Sequence, residues 1–552
     1  MLIAVHIKTG SMQAPTLYQS HNLGHLGLVA ALYDELGIGN LIDTMIPQDF
    51  ERRDVSIGQA VKAMVLNGLG FAEHALYLTP HFFNDKPIDR LIAPGIKAEQ
   101  LNDSTLGRAM DSLYEYGISE LFSQISTKTV RLLKLDCRIG HVDTTSFHTD
   151  GVYNSQDEAE EGVIHITKGY SRDHRPDLNQ IGLQLICEHQ AGIPILMEPL
   201  NGNSVDKDSF HQLIRDHIGQ LKKDVGLEYL IADSALYTAK SLQEMNDCLW
   251  VTRVPETINL TKEIIAAIVP DLIKTPSKSS FRSLCTTYAG ISQRWIVIYS
   301  PESRHRATKT INKNWLKQTT ALQKSFQQLC NQNYSCQEDA EKALQSFQQK
   351  QKLMEITPEA VEKIARYKKS GRPGKDQQAD YFDYQIRGTI MTLIEPRIQR
   401  IQRKSCYVLA TNQLDSEQLS DSEVMALYKN QQKVERGFRF LKDPMFMSSN
   451  FFLKSPERVM VLTMIMTLCL LLYAALEYRI RESLKQTEKT FPNQKGKGIA
   501  NPTARWVFQF FTGIHVLLLP ESQALVLNMN YSHSSLLGLL GEKYEKLYSG
   551  SG

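Results

Sequence analysis

The chain has 552 residues, of which 42% are hydrophobic and 22% charged, a composition typical of a soluble globular protein with more than one domain. The formal net charge is only +2, so affinity for nucleic acid or membranes has to come from local patches of charge. The eight cysteines include no Cys-x-x-Cys pair, which argues against structural zinc and favours reduced thiols in a cytosol-like compartment.

Residues 1–130 are predicted to form a helical N-terminal domain. The segments "HLGLVAALYDELG" and "SIGQAVKAMVLNGLG" have apolar residues at helical spacing and end at glycine, a common helix stop. A third segment, "NDSTLGRAMDSLYEYG", repeats the pattern with Asp103 and Ser104 as its predicted cap residues. The domain is a candidate for binding DNA ends in the manner of a helix-turn-helix, although an ordinary helical bundle gives the same pattern.

Residues 131–257 are predicted to form the first part of a sheet-based core. The runs "RIGHVDTTSFHTDG", "NQIGLQLICEH" and "IPILMEPLNGN" predict three antiparallel strands bounded by turn residues. An amphipathic helix follows, then the compact apolar run Tyr229–Ala232, which is typical of a strand buried on both faces. A further helix and the strand "LWVTRVP" complete the order of an α/β fold with a mixed sheet.

Residues 258–420 interrupt that order and are predicted to form an inserted α+β domain. Strand-like runs such as "RWIVIYS", "YFDYQIRGTIMTLI" and "SCYVLATNQ" flank a long Gln/Lys-rich segment, about 307–370, predicted to be helical. Residues 421–485 return to the core, and 486–552 form a C-terminal region. The uncharged run from Val459 to Leu476 is long enough to cross a bilayer, but polar residues interrupt it, and a buried core helix is favoured.

Two aspartates stand at the ends of predicted strands. Asp143 follows "GHV", and Asp233 follows the buried run "YLIA". Aspartate is depleted in strands, and ligand sites of α/β sheets gather at strand ends. For either residue taken alone, a turn-forming or helix-capping aspartate is the favoured interpretation.

The segment "YKNQQKVERGFRFLKDP" is predicted to be one helix, and between Lys429 and Lys442 it has five Lys or Arg and a single acid, Glu435. At about 100° per residue, Tyr428, Gln431, Glu435, Arg439 and Lys442 fall on one face. The apolar residues form a separate stripe that can pack on the sheet. The ordered polar face indicates a site and not a random solvated surface.

Three carboxylates on separate elements suit a chemistry based on divalent metal ions. Mg²⁺ prefers oxygen ligands and retains open positions for phosphate oxygens. Two such ions, about 3.5–4 Å apart, can clamp an in-line displacement at phosphorus. Cations beside Glu435 would then contact the phosphodiester backbone.

These residues resemble bacterial insertion-sequence transposases of the DDE type, in the group whose third acid lies in a Tyr-x2-Arg-x3-Glu-x6-Lys helix. Tyr428, Glu435 and Lys442 match that motif, whereas Gln431 stands where arginine is expected, and Arg436 or Arg439 could supply the cation. The segments "HVDTTSFHTDG", "GYSRDHRPDLNQIGLQLI" and "PLNGNSVD" also look like one subgroup. The resemblance implies an RNase H-like core with a large insertion before the last acid.

The resemblance also implies an activity. Asp143, Asp233 and Glu435 would be the catalytic residues and would hold two Mg²⁺ ions, for which Mn²⁺ can substitute. Water would attack the phosphodiester at the transposon end and free a 3′-OH, which would then attack target DNA. Related enzymes form a hairpin on the element end, and Gln431 leaves that step open. A homodimer on paired DNA ends, a cytoplasmic, nucleoid-associated location in a bacterium and no membrane partner are expected.

Further side chains are predicted to contact DNA. Two tryptophans of the insertion, Trp295 and Trp315, are candidates for stacking, with packing inside a helical hairpin as the alternative for Trp315. The histidines around the first acid do not match the ligand spacing of zinc sites. The predicted DNA-binding residues are Tyr428, Gln431, Arg436, Arg439, Lys442, His174, Arg175, Lys368, Lys369 and Arg372.

Three other functions are compatible with parts of this pattern. An RNase H-like nuclease would cut DNA structures without strand transfer. A non-catalytic DNA-binding protein derived from a transposase would not need the acids, and the presence of all three weighs against it. A membrane protein anchored by the run 459–476 would place the Glu435 helix at the bilayer, which disfavours that option.

Overall fold

The computed structural model describes residues 2–4, 17–48, 54–71, 76–149, 153, 162–169, 175–245, 247–273, 279–368, 371–372, 374, 377–443, 453–519 and 524–550. The chain forms two compact units. The core unit comprises Met1–Thr252, Tyr288–Ile291 and Thr411–Gly552, and the inserted unit comprises Arg253–Thr287 and Ser292–Ala410.

The first part of the core unit is helical, as predicted. Its elements are β1 (Leu2–Ala4), β2 (Leu17–Asn22), α1 (Leu26–Glu35), α2 (Ile38–Met45), α3 (Ile57–Leu69), α4 (Thr79–Phe83), α5 (Ile88–Leu91), α6 (Asp103–Tyr116) and α7 (Ile118–Leu132).

The start of α6 differs from the prediction. Asn102 is its cap, because its side chain accepts a hydrogen bond from the backbone of Thr105 at 3.1 Å. Asp103 and Ser104 lie in the first turn, so the predicted cap residues are wrong by one position or more.

Five strands of a larger mixed sheet follow. Its elements are β3 (Ile139–Thr149), β4 (Asn179–Glu188), β5 (Pro194–Leu200), α8 (Asp206–Val225), β6 (Tyr229–Ala232), α9 (Ala239–Glu244) and β7 (Leu249–Arg253). The strand order is β5-β4-β3-β6-β7. β3, β4 and β5 pair antiparallel, whereas β3, β6 and β7 pair parallel. This order is that of an RNase H-like sheet, and the predicted fold class is confirmed.

The inserted unit combines helices with strands. Its elements are α10 (Asn259–Leu272), β8 (Ser280–Tyr288), β9 (Ile291–Tyr299), α11 (Pro301–Cys330), α12 (Gln337–Lys350), β10 (Met354–Arg366), β11 (Tyr381–Thr392), α13 (Glu395–Lys404) and β12 (Cys406–Thr411). Within it, β9 lies between β12 and β8, and β10 pairs with β11.

The predicted helix over 307–370 is wrong in its last part. Met354–Arg366 is a strand that pairs antiparallel with β11 along its length. Ile356 of this strand and Ile386 of β11 are buried in one cluster with Phe326 and Leu344 of the two helices. Packing of the hairpin on α11 and α12 therefore outweighs the local helical pattern of the sequence.

The chain then returns to the core unit. The elements there are α14 (Asp421–Lys429), α15 (Gln432–Leu441), α16 (Pro456–Gln486), β13 (Phe491–Pro492), β14 (Gly498–Ile499), α17 (Ala504–Phe510), β15 (His515–Leu518), β16 (Ala524–Leu527), α18 (Tyr531–Leu540) and α19 (Glu542–Leu547). β15 pairs with β2, so the two ends of the chain share one small sheet.

The apolar run of the sequence is the central helix of the core unit. Among the described residues, α16 is the one helix long and apolar enough to cross a membrane, and 89% of its most apolar window is buried within the protein. It packs against α1, α3, α6, α7 and α18. The burial explains why the helix is apolar on all sides, and the interpretation as a core helix is confirmed.

A half-buried histidine links the N-terminal helices to α17. His25 Nε2 lies 2.7 Å from the carbonyl oxygen of Leu69, and its ring stacks on Phe508 with the centroids 4.5 Å apart. Burial lowers the pKa of His25 to about 4. A histidine in the unfolded chain has a pKa of about 6.5. As the pH falls, the unfolded state therefore takes up this proton first.

We expect the core unit to lose stability between about pH 6.5 and about pH 4 through His25. Because the native pKa is the lower one, the stabilisation is complete above pH 6.5 and decreases as the pH falls. The free energy of unfolding should drop by about 1–2 kcal/mol between pH 7.5 and pH 5 from this residue alone. Urea unfolding of wild type and His25→Gln at both pH values measures the difference. An identical pH dependence in the two proteins would contradict the prediction.

Candidate active site

Two neighbouring strands bring Asp143 and Asp233 side by side. β3 and β6 pair parallel from Ile139↔Tyr229 to Val142↔Ala232, and the two aspartates are the next residue on each chain. Paired strands lie about 4.8 Å apart. Both side chains are half-buried. The prediction that Asp143 ends a strand is wrong, because pairing with β4 extends β3 to Thr149. Asp233 does directly follow β6, and the two carboxylates predicted from separate parts of the sequence therefore lie beside each other on paired strands.

Local hydrogen bonds orient these aspartates. Asp143 Oδ1 accepts a bond from the backbone N–H of Thr144, and Asp233 Oδ1 accepts one from the backbone N–H of Ala235, each at 2.8 Å. The hydroxyl of Thr252 on β7 donates to the carbonyl oxygen of Asp233 at 2.6 Å. The strand end that carries the second acid is thus tied to its neighbouring strand.

The segment around Glu435 is two helices and not one. α14 ends at Lys429 and α15 starts at Gln432, with a tight turn between them in which Gln431 N–H bonds to the carbonyl of Tyr428. The prediction of one continuous helix is wrong, because the backbone N–H groups of Asn430 and Gln431 bond to the carbonyl oxygens three residues earlier and form a tighter turn between the two α-helices. As a consequence, Tyr428, which is half-buried on α14, does not share a helix with Glu435.

Gln431 is buried under β3, the strand that carries Asp143. Its side chain is only 6% exposed. Gln431 Nε2 donates to the carbonyl oxygen of Val142 at 2.7 Å, and Oε1 lies 3.1 Å from His141 Nδ1. The residue at the family's arginine position thus binds the strand that carries Asp143, and it does not lie on the exposed face predicted for DNA contact.

α15 runs alongside β3. It is held at one end by Gln431 on Val142, and at the other Lys442 Nζ lies over the ring of Phe147, 5.9 Å from its centroid. Eleven helical residues rise about 16 Å, and five strand residues also span about 16 Å. Glu435, about 6 Å along the helix from Gln431, is therefore level with the part of β3 that directly follows Asp143.

The three acids do not form a closed set of metal ligands in the part of the chain that the structure describes. There, no three His, Cys, Asp or Glu side chains are grouped closely enough to hold a metal ion. Glu435 is exposed on α15. The adjacent pair Asp143 and Asp233 supplies the oxygen ligands that a hard divalent cation requires.

Two arginines of α15 are exposed, and no described acid neutralises their charge. Neither Arg436 nor Arg439 makes a hydrogen bond or an ion pair with any residue that the structure describes. Both line a cleft of about 590 Å³ together with Lys433, Arg481 and Arg505. The last two are paired with Glu477 and Asp443. The cleft therefore offers unpaired positive charge beside the helix that carries Glu435.

The remaining predicted DNA contacts are scattered. Arg175 is exposed and forms a two-pronged ion pair with Asp177. Lys368 and Arg372 are exposed residues of the inserted unit. His174 and Lys369 lie outside the described residues.

Both tryptophans of the insertion are buried. Trp295 is completely buried, and its Nε1 donates to Gln293 Oε1 at 3.0 Å, so the prediction that it stacks on DNA is wrong. Trp315 is 6% exposed inside α11, with Arg400 of α13 over its ring, as the packing alternative predicted.

The sequence did not reveal the polar residues that surround Gln431. His141 and His189 stack with their ring centroids 5.1 Å apart, and burial lowers the pKa of His141 to about 4. Lys433 Nζ donates to the carbonyl oxygens of His189 and Gln190. Only the Glu-His-Gln-Ala-Gly turn after β4 hinted at a structured loop, and nothing in its spacing connected it to α15.

Two family models match separate segments of the chain. A family described as transposase DDE domain matches residues 137–472, and a domain of unknown function (DUF4277) matches residues 18–127. No curated protein sequence matches the chain.

Two solved structures are similar to the chain. One is the piggyBac transposase synaptic complex with hairpin DNA, at 10% identity and a TM-score of 0.37, over 90% of this chain and 83% of that one. The other is the Mos1 transposase paired-end complex with left transposon end, at 12% identity and a TM-score of 0.15, over 35% and 57%. The family match, which covers more than half of the chain, carries the assignment, and these distant likenesses add nothing to the site.

Proposed function

Because the chain belongs to the transposase DDE-domain family, we propose that it cuts DNA at the ends of its own mobile element and joins the freed 3′-OH ends to target DNA. The observation that carries the proposal is the position of Asp143 and Asp233 as neighbours on paired parallel strands. The position of α15, which holds Glu435 level with this pair, supports the assignment of Glu435 as the third acid.

The three acids have distinct positions in the proposed reaction. Asp143 on β3 and Asp233 directly after β6 would hold divalent cations between them, and Glu435 would reach these cations from α15. Two bound Mg²⁺ ions, or Mn²⁺ in their place, would activate the attacking oxygen and stabilise the leaving one. In the first step, water attacks phosphorus, and the bond between phosphorus and the 3′ oxygen of the element end breaks. In the second step, that 3′-OH attacks a target phosphodiester and displaces another 3′ oxygen.

The cations around the site would hold the DNA strands. Arg436 and Arg439 are the strongest candidates, since they are exposed and have no ion-pair partner among the described residues. Each contact to a phosphate releases counterions, so binding should weaken as salt rises. Lys442 lies beside β3 and would contact the DNA strand near the three acids. Gln431, being buried, is not part of this proposed DNA surface.

The expected partners are two element ends and a target duplex, held by a homodimer in the synaptic complex. The element would lie in a bacterial genome, which the protein would reach as a cytoplasmic, nucleoid-associated enzyme. Pairing of two element ends requires two active sites, and two copies of the chain are therefore expected.

A plasmid carrying the gene's own flanking DNA on both sides tests the proposal. With Mg²⁺ and a second, supercoiled plasmid as target, the wild-type protein should release the element and insert it into the target. Cut ends without joined products would indicate an RNase H-like nuclease. A shift of the DNA in a gel without cutting would indicate a non-catalytic DNA-binding protein. Either result would overturn the proposed transposition.

A further inference from the structure

We infer that Gln431 is a positioning residue, which ends a relay of hydrogen bonds, buried at its inner end, that fastens α15 to β3 and so sets the place of Glu435 relative to Asp143. The inference rests on the proposed function, because it assigns this relay to the site of metal-dependent cleavage. It gives a role to the one position at which the chain departs from the family's helix motif.

The sense of the relay follows from its two ends. At one end, Asn430 Nδ2 can only donate, and it lies 3.3 Å from His189 Nε2. At the other, the carbonyl oxygen of Val142 can only accept, and it lies 2.7 Å from Gln431 Nε2. His189 Nδ1 then donates to His141 Nε2 at 2.8 Å, and His141 Nδ1 donates to Gln431 Oε1 at 3.1 Å. Every group is satisfied with both rings neutral.

Burial is consistent with neutral rings. His141 is completely buried, and an apolar interior disfavours a charged ring. Burial also lowers the pKa of His189. A neutral ring has one donor and one acceptor, which is what a chain of single bonds requires.

A rigid turn supports the outer end of the relay. The buried carboxylate of Glu188 accepts hydrogen bonds from the backbone N–H groups of Gln190, Ala191 and Ile193 at 2.6 to 2.9 Å. The turn so held presents His189 to the relay and its own carbonyl oxygens to Lys433 of α15. Asn430 and Lys433, which lie three residues apart, are therefore both bound to one loop.

The choice of glutamine matches its burial. An amide can be buried at little cost when both of its ends are hydrogen-bonded, whereas a guanidinium would carry an uncompensated charge to the same place. Gln431 immediately precedes α15, and Glu435 lies one turn later on a similar face. A displacement of Gln431 therefore also moves Glu435, which lies about 6 Å further along the rigid helix.

Loss of such a supporting residue typically costs 10–100-fold in metal affinity or activity. Gln431→Met keeps an unbranched side chain of similar length and removes both hydrogen bonds. Gln432→Met is the matched control, since Gln432 is exposed on the same helix and has no hydrogen bond to a described residue. Binding of Mn²⁺ to the DNA-free protein, measured by electron paramagnetic resonance, gives a readout that does not depend on cleavage.

We expect Gln431→Met to bind Mn²⁺ about 10–100-fold more weakly than wild type, and to need correspondingly more Mg²⁺ for half-maximal cleavage of element ends. Its affinity for element-end DNA in the absence of metal should stay within about 2-fold of wild type, and cleavage should recover at high Mg²⁺. Gln432→Met should match wild type in all three measurements.

Unchanged metal dependence in Gln431→Met together with weaker DNA binding would overturn the inference, because Gln431 would then act as the motif arginine is expected to act. If Gln431→Met does not fold, His189→Phe decides, since it retains ring stacking but removes the relay's central donor. An unchanged Mn²⁺ affinity in that folded variant would also overturn the inference. If Mn²⁺ affinity depends on Gln431 as expected but the wild-type protein cuts no DNA, the proposed function is wrong and the inference stands.

Discussion

Asp143→Asn is expected to reduce the rate of element-end cleavage by about 10³-fold or more, and Asp233→Asn and Glu435→Gln to do the same. Metal ions contribute several kcal/mol of stabilisation to the transition state of phosphoryl transfer, and each 1.36 kcal/mol corresponds to a factor of about 10. The two aspartates follow paired positions of neighbouring parallel strands, so an amide at either position removes a charged ligand from the proposed site.

The matched control is Asp216→Asn. Asp216 is an exposed residue of α8 in the same unit and is paired with its neighbour Arg215. It should cleave DNA at the wild-type rate. Asn and Gln have nearly the same shape as the acids they replace, so thermal unfolding should show that all four variants are folded. Undiminished cutting by any one of the three site variants would remove that residue from the catalytic set.

The second large effect is expected for stability at Gly202→Ala. An added Cβ at Gly202 would lie 2.0 Å from the carbonyl oxygen of Gln180 and 2.5 Å from that of Thr167, and both are backbone atoms that cannot rotate away. Gly202 also donates to the carbonyl of His165 and accepts from the side chain of Gln180. We expect the free energy of unfolding to fall by about 3 kcal/mol, as in severe overpacking.

Gly219→Ala is expected to raise the free energy of unfolding in the same assay. Gly219 is exposed on α8, and a Cβ there meets nothing within 4 Å. Alanine is more favourable than glycine inside a helix by about 1 kcal/mol, so the urea midpoint should rise. A fall of the midpoint in both variants would show that glycine as such, and not the close approach of the backbone, determines the effect at Gly202.

Most elements of the core could be predicted because their signals are local. The apolar run Tyr229–Ala232 is a strand buried on both faces, and the alternating runs before it are the three antiparallel strands. The residues 354–366 show the limit of this reasoning. Their helical pattern was overridden by pairing with Tyr381–Thr392, a partner that no local window of sequence contains.

The sequence alone determined the family, the sheet core and the identity of three candidate acids, because these depend on residue types and on periodicities within short segments. Only the tertiary structure decided that Asp143 and Asp233 are neighbours, since this follows from the parallel register of two strands far apart in the chain. Only it decided, too, that Gln431 faces the sheet. A helical wheel assigns faces on the assumption of an unbroken helix, whereas the hydrogen bonds to Val142 and His141 accompany a break after Lys429 and bury the residue.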